Sequence, residues 1–360
     1  MADLEVNPDE CLLKHIFTTN QPKAISIFLQ DWDKCVFKAE FRKDPQTDYT
    51  TCVVRLESVD EEFRNFTMIA AIQQIAATVI PDLVPKTVQG DLLEDVWQLL
   101  SADEQSNVVV ELAEALQKLH SVRISDTGTQ EILRKMIRED GEEIQPFLET
   151  AGKLKRPFCT MESVGDSQDV SIQSSFEDMG LVVINNSEIG KWQGESVLCH
   201  NDLTPRNLII QSHASVDGKL NYKLAGIVDW ELAGFFPPSY ELSMQDTYFS
   251  ADRHISFYLL LKEHMKNMVP RPSSQIALVQ AMTLIYESQQ RLLFNGNNIP
   301  AQIRMRVMEN SKLTRDNDPY AGWTRSSQDG PLSEYSSAAF EKLVDDLVEE
   351  MVARRESKPK

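Results

Sequence analysis

The sequence predicts an α+β protein in which a small β-rich N-terminal region is followed by a larger, mostly helical one. Three observations predict it. Cys35, Phe37, Ala39 and Phe41 alternate with Val36, Lys38 and Glu40, the period of two that a half-buried strand shows. From about residue 104 the apolar residues recur at helical spacing for most of the chain. Between those helices, residues 208–210 and 224–228 form two apolar, strand-like runs on either side of a Ser/Asp/Gly-rich turn.

The chain has 360 residues, 42% of them hydrophobic and 25% charged, enough to bury a sizeable core in two domains or one two-lobed fold. With 14 Gly and 16 Pro it is neither collagen-like nor of disordered composition. Lys and Arg number 36 against 55 Asp and Glu, a net charge of −19 that repels phosphate backbones and anionic membrane surfaces. The densest basic stretches, 153–156 and 354–360, are short, so neither nucleic acid nor a membrane is an expected partner. Cys11, Cys35, Cys52, Cys159 and Cys199 are odd in number and lack a C-x-x-C pair, which fits a reducing compartment better than a disulfide framework or a zinc site. The first residues carry no basic-then-apolar leader, and no apolar run approaches the ~20 residues that span a bilayer. A cytoplasmic location is expected.

In chain order, the first strand is followed by turn chemistry in Asp44, Pro45 and Asp48, and by a β-branched return strand at 51–56. Residues 61–80 switch to helical spacing, with Phe63, Phe66, Ile69, Ala70 and Gln73 on one stripe and Pro81 closing the helix. Further helices are predicted at 104–120 and 129–138. The stretch 139–190, polar and punctuated by Gly141, Gly152, Gly165, Gly180 and Gly190, reads as an irregular insertion. Helices follow at 255–268, 274–294, 301–313 and 337–353. The last gathers Phe340, Leu343, Val344, Leu347, Val348 and Met351 on one face, which is expected to dock on its own domain rather than on a partner.

The chemistry concentrates in 196–242, where SVLCHNDLTPRNLIIQ is followed, after a polar turn, by YKLAGIVDWELAGFFPPSYEL. Asp202, Asn207 and Asp229 converge if the first two sit on a loop entering one strand and the third on a loop leaving the other. Carboxylate and amide oxygens of that kind suit a hard cation such as Mg²⁺. Taken singly, each piece has a plainer reading: a His-Asn-Asp turn with a helix cap, and an aspartate that ends a strand. Trp230 reads as core, Glu231 as either metal shell or exposed surface, and His213 and His254 as residues without chemistry.

His200-Asn201-Asp202-Leu203-Thr204-Pro205-Arg206-Asn207 followed by Asp229-Trp230-Glu231 resembles the catalytic and metal-binding loops of the aminoglycoside phosphotransferase family, small-molecule kinases of the protein-kinase-like fold. The resemblance implies a two-lobe fold, with 1–90 as the nucleotide lobe and 91–360 as a helical catalytic lobe carrying the 139–190 insertion. It implies ATP and Mg²⁺ as cofactors and a small-molecule hydroxyl as acceptor. Asp202 would accept or orient the hydroxyl proton and His200 would brace the loop. Asn207 and Asp229 would hold Mg²⁺ on the nucleotide phosphates.

The chain departs from the family's pattern in three places. Where the family places a phosphate-binding lysine, the strand at 51–56 has Arg55, which keeps the charge but offers a planar fork instead of an ammonium; Glu61 and Glu62 are candidate partners for it. No glycine precedes Gly90, so no Gly-rich loop covers the phosphates. Residues 86–95 are also too few for the two strands and hinge that would contact adenine, so the nucleotide lobe is shortened at its hinge end. These departures motivate an alternative, a kinase-fold binding or scaffold protein that has lost catalysis. A metal-dependent hydrolase built on His200 ranks below both, for want of a His and carboxylate cluster.

Overall fold

The computed structural model describes residues 8–18, 20–30, 34–42, 51–57, 66–84, 90–136, 155–164, 168–214, 220–249, 253–330, 332 and 335–356. The chain divides into two compact units, Met1–Asn65 and Phe66–Lys360. The first holds a small antiparallel sheet and the second is mainly helical, the α+β class that the sequence predicts.

In the first unit, helix α1 (Glu10–Ile16) is capped by the Asp9 carboxylate, which accepts from the Leu12 N–H at 2.7 Å. Strands β1 (Ala24–Gln30), β2 (Lys34–Glu40) and β3 (Thr51–Glu57) follow in the order β1-β2-β3. The alternation read in the sequence decides which face of β2 is inside: Cys35, Phe37 and Ala39 are fully buried, while Lys34, Val36, Lys38 and Glu40 are half-buried. Leu13, Phe17, Ile25, Cys52, Val54 and Leu56 close this core. Strand β1 has no counterpart among the sequence expectations. Its Ile27, Phe28 and Leu29 are all exposed, and its register slips between Ile27 and Leu29, so no clean period of two marks it.

The second unit begins with α2 (Phe66–Val79). Its buried face is Ala71, Ile72, Ile75 and Ala76, whereas Ile69, Ala70 and Gln73 of the expected stripe are only half-buried. The apolar residues here run almost all the way round, so periodicity alone could not choose the face. Phe63, Glu61 and Glu62 lie outside the described residues. Gly90 leads into β4 (Asp91–Leu92), which pairs with Ile209 and Ile210, and a Cβ at Gly90 would run into the Ile210 carbonyl, so the strands meet this closely only with glycine there. Helix α3 (Leu93–Val96) follows. In α4 (Ala102–Leu119) a capping box of Ser101 and Glu104 starts the helix, and Val108, Val109, Leu112, Ala115, Leu116 and Leu119 form its buried face. Helix α5 (Thr127–Met136) packs on α2.

The expected irregular insertion is corrected by the structure. Residues 155–184 form a four-stranded antiparallel sheet of β5 (Lys155–Arg156), β6 (Cys159–Val164), β7 (Asp169–Ser174) and β8 (Leu181–Ile184), followed by α6 (Asn186–Glu195). The strands bury few apolar residues, chiefly Cys159, Ile172 and Ile184, and leave Val164, Leu181 and Val183 exposed, so no clean period of two marks them in sequence. Gly180, at φ 73°, punctuates a turn of that sheet. Ile172, Ile184 and Trp192 pack with Leu278, Ala281 and Leu284, and the Trp192 indole N–H donates to the Ser274 carbonyl at 2.9 Å.

The remaining elements are β9 (Val197–Cys199), β10 (Leu208–Ala214), β11 (Leu220–Ile227), β12 (Gly234–Phe236), α7 (Pro238–Gln245), α8 (Ile255–Met268), α9 (Ser273–Asn295), α10 (Ile299–Asn310), β13 (Leu313–Arg315), β14 (Trp323–Arg325) and α11 (Ser337–Glu356). Strand β12 pairs with β9, and β10 lies between β11 and β4. Helix α10 stops at Asn310, short of the expected residue 313, because Leu313 opens β13. Leu347 and Met351 of α11 are buried, and Arg306 of α10 reaches Glu350 at 3.0 Å, so the last helix docks on its own unit. Among the described residues no helix is long and apolar enough to cross a membrane.

Candidate functional site

The antiparallel pair β10–β11 fixes the site. Residues 200–207 lead into β10, and Asp229 lies just beyond the end of β11, so the two loops emerge side by side. The Val228 N–H donates to the Asn207 carbonyl at 2.9 Å, and the His200 Nε2 bonds the Val228 carbonyl at 3.0 Å. The two loops thus lie side by side as expected, with Val228, next to Asp229, bonded to the backbone of Asn207.

Asp202 is 4% exposed and is held from several sides. Asn207 Nδ2 donates to its carboxylate at 2.8 Å and to its carbonyl at 2.9 Å. The largely exposed Arg206 guanidinium lies 3.3 Å from the same carboxylate oxygen. With both donations made from Nδ2, the Asn207 amide has its carbonyl oxygen left to offer a cation. Asp229 is half-buried and sits in the left-handed region at φ 60°, ψ 64°. Asn201, at φ 63°, does the same in the other loop. Such conformations cost a non-glycine residue energy, which Asp and Asn tolerate best, and the surrounding bonds hold both.

His200 is fully buried, and burial holds its imidazole below the ordinary value, with the Glu241 charge opposing. The neutral ring donates from Nε2 to Val228 and accepts the Asp202 N–H at Nδ1, 3.3 Å away. Trp230 packs edge-on against it with ring centroids 4.7 Å apart, as core. Tyr248 donates to the Asn201 carbonyl at 2.6 Å; burial first, and the Asp202 charge second, push its phenol up.

Sequence reasoning missed the residue that anchors the loop. Glu241 of α7 is fully buried, and its Oε1 accepts the backbone N–H groups of His200 at 2.7 Å and Asn201 at 2.8 Å. Its Oε2 pairs with His120 Nε2 at 2.7 Å. Burial works against ionisation of Glu241, yet the His120 hydrogen bond and charge together with the loop N–H groups outweigh it, and its carboxyl lies below the ordinary value. The only signal in sequence was an acidic residue among apolar neighbours after Pro237 and Pro238. Arg55 lies on β3 in the first unit, opposite Val36 in the ladder.

Residues 86–264, about half of the chain, match the sequence model of the phosphotransferase enzyme family. The matched stretch contains His200, Asp202, Asn207, Asp229 and Glu241; Arg55 precedes it. Similar solved structures include the streptomycin–ATP–APH(2″)-IIa ternary complex, at 12% identity and TM-score 0.39 over 83% of this chain and 99% of that one. Aminoglycoside phosphotransferase APH(2″)-Ib with ADP is similar at 11% identity and TM-score 0.37, over 94% and 96%. A thermostable mutant of aminoglycoside phosphotransferase APH(4)-Ia, in a ternary complex with ADP and hygromycin B, gives 11% and 0.41, over 86% and 100%. No curated protein matches the chain in sequence.

Proposed function

We propose that the protein is an ATP- and Mg²⁺-dependent phosphotransferase acting on a hydroxyl of a small molecule. The observation that carries the reading is the Asp202–Asn207 bond at 2.8 Å on a loop pinned by Glu241. It ties a buried carboxylate able to receive a proton to an amide whose free oxygen faces the chemistry of a hard cation. Phosphoryl transfer asks for positioning and charge neutralisation more than for covalent help.

In this reading Asp202 takes the acceptor hydroxyl's proton and keeps its carboxylate oriented through Asn207 and Arg206. His200, neutral and bonded at both ring nitrogens, holds the loop backbone. Asn207 Oδ1 and the Asp229 carboxylate form an all-oxygen donor pair that fits Mg²⁺, and the bound ion supplies neutralisation of the nucleotide phosphates. Arg55 stands where the resemblance implies a phosphate-binding lysine, so Arg55→Ala should raise the KM for ATP more than Arg55→Lys does.

The test is hydroxyl-dependent release of ADP from ATP and Mg²⁺ over a panel of small alcohols, amino sugars and choline-like compounds. Removing the base should cost about 10²–10⁴-fold in kcat in Asp202→Ala. Equal turnover in that variant would contradict the assignment. A second reading, a kinase-fold scaffold, is favoured by Arg55 and by the lack of any strand between α2 and Gly90 among the described residues. A scaffold shows no hydroxyl-dependent turnover and keeps its partner in Asp202→Ala.

A further inference from the structure

The oxygen of Glu241 that does not hold the loop belongs to a second cluster, whose other members, His120 and Cys199, have no role in the proposed transfer. His120 Nε2, Cys199 Sγ and a Glu241 carboxylate oxygen all lie within 4.8 Å of one another. Cys199 and Glu241 are fully buried and His120 nearly so. Glu241 Oε2 is 2.7 Å from His120 Nε2, and Cys199 Sγ is 3.9 Å from that same nitrogen.

A Cys-His-Glu set invites comparison with a nucleophile relay, but the geometry rules that out. A relay needs the carboxylate on one ring nitrogen and the thiol on the other, so that the imidazole can pass a proton between them. Here both partners meet Nε2. Burial, reinforced by the Glu241 charge, also pushes the thiol up, away from the thiolate a nucleophile needs. Three donors that converge on one point instead describe a ligand set.

We propose that His120, Cys199 and Glu241 form a structural site for a zinc-class divalent cation. Nitrogen, sulfur and oxygen donors together select a borderline metal over Mg²⁺. At normal Zn–N, Zn–O and Zn–S lengths, tetrahedral donors stand about 3.3–3.6 Å apart. The ion therefore needs the N–O gap to widen by about 0.6 Å and the S–N gap to close by about 0.3 Å. Binding replaces the proton shared by Nε2 and Oε2 and releases the thiol proton to solvent, leaving a thiolate and a carboxylate that balance the 2+ charge. Glu241 Oε1 keeps its two loop N–H donors, which orient the ligand from outside. Water completes the shell from a cavity of about 340 Å³ that His120 lines together with Gln117, Ser121, Arg123, Glu195 and Gln275.

The probe is Co²⁺, titrated into the chelator-treated full chain with Mg²⁺ in excess. One equivalent should bind and give intense visible bands of a tetrahedral ion together with a near-ultraviolet thiolate-to-cobalt band. Cys199→Ser should lose the thiolate band, Cys159→Ser should keep it, and His120→Gln should weaken binding at least tenfold. Zn²⁺ should displace Co²⁺ and raise the melting temperature of the wild-type chain. Absence of a thiolate band in the wild type overturns the proposal without recourse to any variant, and so does a band of unchanged intensity in a folded Cys199→Ser. The readout is independent of phosphoryl transfer, so it stands or falls apart from the proposed activity.

Discussion

Glu241, inside α7, and Asp246, at its C-terminal cap, are both buried carboxylates paired with basic side chains, yet they hold different things. Glu241 faces backbone: one oxygen accepts two N–H groups of a loop that has no ladder of its own. Asp246 faces mainly side chains, pairing with Lys262 of α8 and lying 3.7 Å from Arg315, which also bonds Glu287 of α9 at 3.2 Å, while the Trp323 backbone N–H reaches it only at 3.5 Å. Glu287 in turn accepts from Arg304 of α10 at 2.8 Å and from the Trp323 indole at 3.0 Å. The Asp246 network joins helices that already share an apolar core, with Tyr258, Leu261, Met265 and Val307 fully buried in it. A packed helix keeps its place if one ion pair is lost, whereas the loop at 200–204 has only Leu203 in the apolar core and depends on polar bonds for its backbone at His200 and Asn201.

Substitutions can break or sharpen this contrast. The largest effect is expected for Glu241→Ala, which strands His120 and two buried N–H groups and should cost about 3–5 kcal/mol in urea unfolding. A loss below about 1 kcal/mol would break the contrast, because the loop would then be held by something else. Asp246→Asn keeps a carbonyl acceptor for Lys262 and leaves Arg315 its bond to Glu287, so about 1–3 kcal/mol is expected, with nucleotide affinity unchanged. Tyr248→Phe removes one hydrogen bond to the Asn201 carbonyl and should cost about 1 kcal/mol.

The pH dependence is the gentlest test. His200 has a folded value below its ordinary 6.5, so the unfolded chain takes up a proton first as pH falls. Its contribution is complete above 6.5 and is lost as pH drops below that. Glu241, lowered from 4.5, adds a second loss beginning below that value. Urea midpoints measured between pH 8 and 4 should fall in that order, and His200→Gln should remove the first step.

What the sequence revealed, and what it hid, follows the same physics. His200, Asp202, Asn207 and Asp229 could be grouped from sequence because their spacing is short and the β10–β11 hairpin sets their two loops side by side. His120 and Glu241 are 121 residues apart, and nothing local to either names the other. The alternation in β2 was clear because one face is fully apolar. The sheet at 155–184 was not, since its strands bury few residues each, and the buried face of α2 was misjudged because that helix is apolar on most sides. The β-rich and helical division survived these errors, because it rests on long segments of consistent period.

The proposed nucleotide site depends on Asp229 as a holder of the metal. The most direct measurement is the melting temperature of the full chain with ATP or ADP, with and without Mg²⁺, alongside Asp229→Ala. At 100 times its dissociation constant the nucleotide should stabilise the chain by about 2.7 kcal/mol, a rise of several degrees that requires Mg²⁺ and vanishes in the variant. A folded wild-type protein whose melting temperature no nucleotide shifts, with or without Mg²⁺, would contradict the account and put the scaffold reading first.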